Sequence, residues 1–327
     1  MDAKTSSDVS PLILRTCTEM LTWDALVDDS PQGHVFSTSA FLQSLGAPYI
    51  CHLVTTPKGE VLAGAVILKE GNRMARAPFA FTPHQGILFA RSVAQQPSQK
   101  RMTTEFRITT FMIEALLDAY PNFSMAMSPF FKDLRPFLWH NYSLEGNRKF
   151  DVKHRYTGHL HLQSFELASF LTTVRALRRR EYKKNQVRIQ QTADLPLFLS
   201  LYQKTYSRQG LSIDANLLGL VQRICEQAMA KGYGYLSSAS LGDRTASMAF
   251  FVSDIRCVYY LFGANDPEMR HANASSKLLI DNIALSAQRG LQRFDFVGVN
   301  SPQRGDFKLS FNADLVPYQE VHLEANA

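Results

Sequence analysis

Apolar positions along the chain follow two periods, one typical of strands and one typical of helices. In the first half, after a short apolar segment at residues 12–17, apolar runs predict strands at residues 50–55, 61–69, 74–81 and 123–127. Apolar residues three or four positions apart predict helices at residues 20–27, 38–45 and 103–119. Gly46 and Pro121 are typical residues at helix ends, and residues 57–59 predict a hairpin turn.

The second half repeats this order of elements. Apolar alternation predicts strands at residues 156–162, 187–191, 234–240, 245–252, 256–262, 293–297 and 317–323. Helical spacing predicts helices at residues 165–185, 195–208, 215–231 and 275–289. Each half runs strand, two helices, three strands, helix, strand. We therefore expect a mixed α/β (α+β) fold of two tandem domains, residues 1–150 and 151–327, each with a mixed, mostly antiparallel sheet flanked by helices.

Composition is that of a globular chain, and the cysteines indicate its compartment. The 327 residues are 45% hydrophobic and 20% charged, which suits two folded domains. The four cysteines show no metal-site or disulfide spacing, so we interpret them as reduced core residues of a cytoplasmic protein. Asp2, Lys4 and Asp8 argue against a signal peptide, and no apolar run is long enough to span a membrane.

The net charge of +6 gains meaning from one cluster of basic residues. Around the predicted helix at 165–185 the sequence has Arg175, Arg178, Arg179, Arg180, Lys183, Lys184 and Arg188, with Glu181 among them. Arg179, Arg180, Lys183 and Lys184 can form a stripe at helical spacing that suits a phosphate backbone or a pyrophosphate. The alternative is a solvated helix face, which is the usual role of a charge run.

Several segments, taken in order, resemble the FemAB-like family of acyltransferases. Residues 156–210 contain Leu160, Leu162, the LRRR run at 177–180 and the TY pair at 205–206. FDFVG at 294–298 is followed by GDFKLSFN at 305–312, which is similar to a strand and an FK motif of that family. Trp23, Phe36, Ser39 and Gly46 are similar to its N-terminal segment.

The resemblance implies two GNAT-like domains that transfer an acyl group to a primary amine. In the Fem ligases the donor is an aminoacyl-tRNA and the acceptor a peptidoglycan precursor, whereas other members acylate sugars or polysaccharide precursors. It implies no tightly bound cofactor and no metal. The partners it implies are an amine-bearing acceptor, either a peptidoglycan or an amino-sugar precursor, and tRNA or acyl-CoA as donor. A basic surface also allows peripheral contact with the inner membrane surface.

Lys308 is the main catalytic candidate, with Phe307 beside it. Acyl transfer to an amine passes through a tetrahedral oxyanion, which a fixed cation stabilises. The resemblance implies this role for Lys308, and Phe307 can offer a stacking face to a terminal adenine. The alternative is that Phe307 is a core residue and Lys308 a surface charge on an alternating segment.

Polar residues elsewhere supply the remaining candidates. By resemblance, Tyr206 and Arg208 lie near the acceptor, where arginine can clamp a carboxylate or phosphate, although Arg208 can also simply cap its helix. His84 and Gln85 interrupt an apolar run and can line a cleft, His84 as a proton carrier or merely a structural residue. Asn300, between the two C-terminal motifs, is a further substrate-binding candidate.

Two departures from the family patterns bear on the identity of the acyl donor and of the general base. A CoA-binding GNAT domain has a glycine-rich pyrophosphate loop, but here residues 270–275 read RHANAS. Asn273 and Ser275 replace the glycines and crowd a pyrophosphate, which weakens the CoA hypothesis, although Arg270 and Ser275 can still bind an anion. Ser128-Pro129 stands where Fem ligases often have Asp-Pro, so His84, Asp295 or water must take the proton.

Three hypotheses follow from these residues. The first is an amide-forming transferase with an aminoacyl or other acyl donor and an envelope or polysaccharide precursor as acceptor. The second is an acyl-CoA-dependent N-acyltransferase that acts on an amino sugar. The third is a non-catalytic protein that binds RNA or an envelope precursor on a degenerate transferase fold. The sequence identifies neither donor, acceptor, general base nor oligomeric state.

Overall fold

The computed structural model describes residues 11–208, 210 and 212–324. Asp2, Lys4 and Asp8, which argue against a signal peptide, lie outside the described residues. The strands are β1 Ile13–Cys17, β2 Tyr49–Thr55, β3 Val61–Glu70, β4 Arg73–Met74, β5 Ile87–Phe89, β6 Phe123–Ala126, β7 Asp151–His161, β8 Arg188–Thr192, β9 Gly234–Leu241, β10 Arg244–Ser253, β11 Cys257–Asn265, β12 Arg293–Asp295 and β13 Asp314–Leu323. The α-helices are α1 Met20–Asp29, α2 Ser39–Leu45, α3 Arg91–Ala94, α4 Ser98–Ala119, α5 Arg135–Leu138, α6 Leu167–Thr173, α7 Ala176–Lys184, α8 Leu195–Arg208, α9 Ala215–Ala230, α10 Ala274–Gln288 and α11 Pro302–Leu309.

The first sheet is antiparallel and belongs to the N-terminal part of the chain. Its strand order is β1-β2-β3-β4, and β5 also pairs with β3. Helix α1 packs closely on it, because the absent side chain of Gly64 leaves the space that Trp23 and Leu26 fill. A Cβ at Gly64 would lie 2.7 Å from Leu26 Cδ2. The hydrophobic pattern predicted α1, β2 and β3 closely, whereas it did not predict the short strand β5.

The second sheet has eight strands in the order β6-β13-β7-β12-β11-β10-β9-β8. Strands β11 and β12 are parallel, and the other pairs are antiparallel. The expected class of two mixed, mostly antiparallel sheets flanked by helices is confirmed. Strand β6 joins this sheet through β13, with Ala126 opposite Glu320. The chain's last strand therefore pairs with a strand that precedes residue 150, and the proposed division at that residue stays a prediction.

Three predicted elements differ in the structure. The strand predicted at 74–81 ends at Met74, since Pro78 has no N–H to donate and the Ala77 N–H donates to the Ser124 hydroxyl at 2.6 Å. The single helix predicted at 165–185 is two helices, because the Arg175 N–H donates to Ser310 O at 3.0 Å. The FK motif lies on α11, which begins at Pro302. This helix was not predicted, because the apolar residues of the segment also alternate as in a strand.

The four cysteines are buried and form no disulfide among the described residues, as expected of reduced core residues. Among the described residues, no helix is both long and apolar enough to cross a membrane.

Candidate active site

A cavity of about 760 Å³ lies between α8, β11, α11 and the N-terminus of α10. Several predicted site residues line it together: Tyr206, Arg208, Arg270, Ser275, Phe307 and Lys308. Arg178, Glu181, Tyr202, Tyr260, Asn273 and Arg304 complete the polar and aromatic wall. Residues more than 100 positions apart in sequence thus meet around one space large enough for a small ligand.

Lys308 presents a cation at the wall of this cavity. Its ammonium donates to the carbonyl of Val297 and, at 3.4 Å, to that of Gly298. The ammonium also lies 5.4 Å from the centroid of the Tyr260 ring. Burial lowers the pKa of Lys308 to about 8, an effect that the negative charge of Asp295 opposes. The charge at this position therefore depends on pH close to neutrality.

The carbonyls that hold Lys308 belong to a strained turn after β12. Val297 has φ +48° and Gly298 has φ +59°, and the left-handed conformation is costly for a β-branched residue. The Val297 N–H donates to Asp295 Oδ1 at 2.8 Å, which fixes the turn. Asp295 thus connects the buried end of β12 to the position of Lys308.

Asp295 itself is buried behind the cavity wall. It accepts hydrogen bonds from the Thr157 hydroxyl and, at 3.1 Å, from His159 Nε2. Burial alone would raise the pKa of Asp295, but the hydrogen bond and charge of His159 and the bond from Thr157 lower it to about 2. A carboxylate this acidic and this fully bonded is poorly suited to accept a proton from an amine. The hydrogen bonds of Asp295 instead suit a role in positioning Lys308 through the Val297 turn.

Phe307 is held between a cation and the core. Arg178 lies over its ring at 5.0 Å from the centroid, and Phe311 contacts it edge-on at 5.2 Å. Arg178 also forms a 2.7 Å ion pair with Glu181, and both side chains bond the Ser276 hydroxyl, at 2.7 and 2.5 Å. The Ser276 hydroxyl in the first turn of α10 is therefore already hydrogen-bonded to both side chains.

The loop before α10 keeps the backbone that a glycine would provide. Asn273 has φ +48°, a left-handed conformation that asparagine tolerates better than most residues. The Asn185 amide donates to the carbonyls of Ala272 and Asn273 at 2.7 and 3.1 Å and holds the loop. Ser275 donates to Asn265 Oδ1 at 2.5 Å. The first turn of α10 therefore faces the cavity with an ordered backbone.

A second cavity, of about 510 Å³, adjoins the first and is rich in cations. Arg180, Lys184 and His271 line it, and it shares Glu181 and Asn273 with the larger cavity. Within the described residues neither Arg180 nor Lys184 has an ion-pair partner. These two cations face a cavity that shares part of its wall with the cavity of Lys308.

The four residues of the predicted basic stripe lie on α7 and have two different surroundings. Arg180 and Lys184 line the second cavity, whereas Arg179 and Lys183 line neither cavity. Arg179 donates to the carbonyl of Thr172 at 3.2 Å. The stripe is thus two pairs of residues with different surroundings.

On α8, Tyr206 and Arg208 line the larger cavity as expected. The Tyr206 hydroxyl lies 3.3 Å from that of Tyr202, which is also in the cavity wall. Arg208 is exposed at the end of the helix, in reach of an anionic group. This side of the cavity can hold a polar acceptor.

Six predicted site residues lie outside both cavities: Asp295, Arg179 and Lys183, described above, and His84, Gln85 and Asn300. His84 and Gln85 are buried in the core, and the His84 ring lies 4.9 Å from Tyr318 and 5.4 Å from His34. Burial lowers the pKa of His84 to about 4. Asn300 exchanges hydrogen bonds with the backbone of Tyr156 at 2.8 and 2.9 Å. Asn300 therefore fastens the segment before α11 to β7.

Glu181 and Tyr260 line the cavity but were not singled out from the sequence. Glu181 carried a signal, because it stands three residues after Arg178 at a spacing that allows an ion pair on one helix face. Tyr260 lies within an apolar strand, and alternation alone gives no reason to separate it from core residues.

The chain is similar both to a known sequence family and to solved structures. Residues 168–309 match the acetyltransferase (GNAT) domain family. No curated protein sequence matches the chain. A FemX structure superposes with a TM-score of 0.65 at 13% identity, covering 94% of this chain and 96% of that one.

Two further structures show the same fold. A tandem GNAT protein from the clavulanic acid biosynthesis pathway has a TM-score of 0.55 and 10% identity, with 97% and 99% coverage. The C-terminal domain of a putative lysylphosphatidylglycerol synthetase from Agrobacterium fabrum has a TM-score of 0.52 and 9% identity, with 93% and 90% coverage. The fold is therefore the one that the resemblance implies, and residues 168–309 are similar to a GNAT acetyltransferase domain.

Proposed function

We propose that this chain, whose residues 168–309 match the acetyltransferase (GNAT) domain family, forms an amide bond between an aminoacyl group, donated by aminoacyl-tRNA, and a primary amine. The acceptor we propose is a cell-envelope or polysaccharide precursor in the cytoplasm. The observation that carries the proposal is Lys308, whose ammonium is fixed at the wall of the larger cavity by two backbone carbonyls.

In the proposed reaction, the neutral acceptor amine attacks the ester carbonyl of the donor. The carbonyl oxygen becomes an oxyanion, and the Lys308 ammonium stabilises the charge that develops there. The intermediate collapses as the bond to the tRNA 3′-terminal ribose oxygen breaks, and the oxygen leaves with a proton. The amine's surplus proton passes to water, since Asp295 is buried and fully hydrogen-bonded.

The donor's phosphates would lie along the second cavity. Arg180 and Lys184 face it without carboxylate partners among the described residues, and the shared wall at Asn273 connects it to the site of Lys308. Phe307, held by Arg178, offers a ring face for the terminal adenine. Tyr206 and Arg208 on the opposite side would then bind the acceptor.

A second candidate donor is acyl-CoA, favoured by one specific observation. The left-handed backbone of Asn273 preserves the turn that a glycine-rich pyrophosphate loop needs before α10. Against it, Glu181 places a carboxylate 2.5 Å from the Ser276 hydroxyl in the first turn of α10. A pyrophosphate there would have to displace this side chain. We therefore rank CoA second.

Thermal stabilisation of the purified protein by charged tRNA, acetyl-CoA and a long-chain acyl-CoA tests the choice of donor. A ligand at a hundredfold excess over its Kd stabilises the native state by about 2.7 kcal/mol. We expect a shift with charged tRNA that weakens with salt. A shift with either CoA alone would reject the aminoacyl-tRNA donor and support the second candidate.

Glu181→Gln sharpens the same test. Loss of the carboxylate's charge beside α10 should improve acyl-CoA binding several-fold if CoA binds at this helix. The acyl-CoA titration is the discriminating one, because Glu181 also lines the second cavity, where the same change favours tRNA phosphates. Titration of parent and variant with acetyl-CoA measures the difference. Glu268→Gln is the matched control, because Glu268 is exposed and pairs with Arg244 on the surface.

A further inference from the structure

A cluster of exposed apolar side chains lies at the end of α5 and in the turns that follow it. Leu138, Trp139, Tyr142 and Leu144 are 53%, 53%, 72% and 52% exposed. Met102 on α4 is 47% exposed and lies one turn before Phe106, whose ring is 5.5 Å from that of Trp139. We call these five exposed residues the aromatic patch. Single exposed apolar residues are common, but a contiguous group marks an interaction surface.

The outward direction of the aromatic patch is fixed by its supports. Phe137, next in the chain to Leu138, is buried against Phe123 and Phe150. The Trp139 N–H donates to Arg135 O at 2.8 Å, and the Tyr142 N–H donates to Trp139 O at 3.0 Å. Consecutive turns thus anchor one aromatic ring inward and present two outward.

Cations surround the aromatic patch. Lys100 and Arg101 immediately precede Met102, and Arg148 and Lys149 lie where the Asn141 amide closes the loop by donating to Arg148 O at 2.9 Å. Residues 98–110 and 131–149 contain seven Lys and Arg against three Asp and Glu. Among the described residues none of these four cations forms an ion pair with a carboxylate, and Arg148 Nη1 donates to the carbonyls of Pro121 and Glu324 at 2.8 and 2.7 Å. The charge therefore complements an anionic partner.

We propose that the aromatic patch binds the surface of an anionic phospholipid bilayer. Trp139 and Tyr142 have the amphipathic rings that lie among lipid headgroups, and Leu138 and Leu144 supply apolar area at the acyl boundary. The flanking lysines and arginines contact lipid phosphates. The patch shares no residue with either cavity, so the inference is independent of the proposed function.

Tryptophan fluorescence provides a direct test, because the sequence contains two tryptophans and Trp23 is 0% exposed. A change in emission on mixing with vesicles therefore reports on Trp139. We expect a blue shift when the whole protein is titrated with phosphatidylcholine vesicles containing phosphatidylglycerol, and a smaller one with phosphatidylcholine alone. Added salt should weaken it, because screening reduces the attraction of the cations to the headgroups.

Vesicle sedimentation of variants assigns the surface. Trp139→Ala and Tyr142→Ala together should reduce the bound fraction about tenfold, since both interfacial rings are lost. Ile255→Ala, at a residue 65% exposed in the turn between β10 and β11, is the matched control and should bind as the parent does. Lys149→Glu tests the same surface without removing an aromatic ring.

Two results would overturn the proposal. One is unchanged Trp139 emission with phosphatidylglycerol vesicles. The other is a self-associating protein that becomes monomeric in sedimentation equilibrium on Trp139→Ala and binds no vesicles, which would assign the patch to a second copy of the chain. Circular dichroism of each variant separates loss of binding from loss of folding.

Discussion

Polar residues from the two halves of the chain have opposite surroundings. In the C-terminal half, Lys308 and Phe307 stand at the wall of a cavity of about 760 Å³. In the N-terminal half, His84 and Gln85 are sealed under Tyr318, His34 and neighbouring apolar groups. Repetition of the order of elements has thus not produced two equivalent sites. We place the proposed chemistry in the C-terminal half because only that region combines an open cavity with a fixed cation among the residues compared here.

The largest expected effect separates these two regions directly. Lys308→Ala removes the cation beside the proposed oxyanion and should lower kcat about 10²- to 10³-fold with little change in KM. His84→Asn should change kcat by less than about twofold, because that ring lines neither cavity, although it should lower stability. Single-turnover rates with charged tRNA and an amine acceptor measure both. Equal losses of kcat in the two variants would contradict the comparison.

A smaller effect is expected at the connection behind Lys308. Asp295→Asn removes the carboxylate that fixes the Val297 turn and should lower kcat about tenfold or more. Lys308 acts as an ammonium, so activity should fall as pH rises through its pKa of about 8. The charge of Asp295 raises that pKa, so the variant's alkaline limb should move to lower pH. A pH profile of unchanged shape would assign Asp295 a purely structural role.

The same substitution should change stability. The pKa of Asp295, about 2, is below its usual value, so its carboxylate stabilises the fold above that usual value and loses the effect as pH falls toward about 2. Asp295→Asn should therefore cost about 3 kcal/mol of unfolding free energy at neutral pH. Denaturant titration at neutral and acidic pH measures it, and the two proteins should converge in acid.

The smallest effect concerns the divided basic stripe. Arg180→Ala with Lys184→Ala should weaken tRNA binding about tenfold and reduce its salt dependence, because both cations line the second cavity. Arg179→Ala with Lys183→Ala is the matched pair from the same helix and should have little effect. Binding measured over a salt series compares them. Equal losses would indicate a general charge effect of α7.

Much of the fold was predictable from local patterns. The hairpin of β9 and β10, the Gly46 end of α2 and the Asp194 cap of α8 each depend on residues close in sequence. The break between α6 and α7 was not predictable in this way, because it depends on a hydrogen bond from the Arg175 N–H to Ser310 O, far away in sequence. Helix α11 was missed since Phe307 and Leu309, together with Phe311 beyond its end, also fit the alternation of a strand.

The sequence by itself determined the order of elements, the superfamily resemblance and the presence of an FK pair, because periodicity and local motifs are properties of neighbouring residues. Tertiary structure decided which polar residues share a space. It joined Lys308 to the Val297 turn, divided the stripe on α7 and buried His84. Those outcomes depend on contacts between residues far apart in the chain, which no short-range pattern encodes.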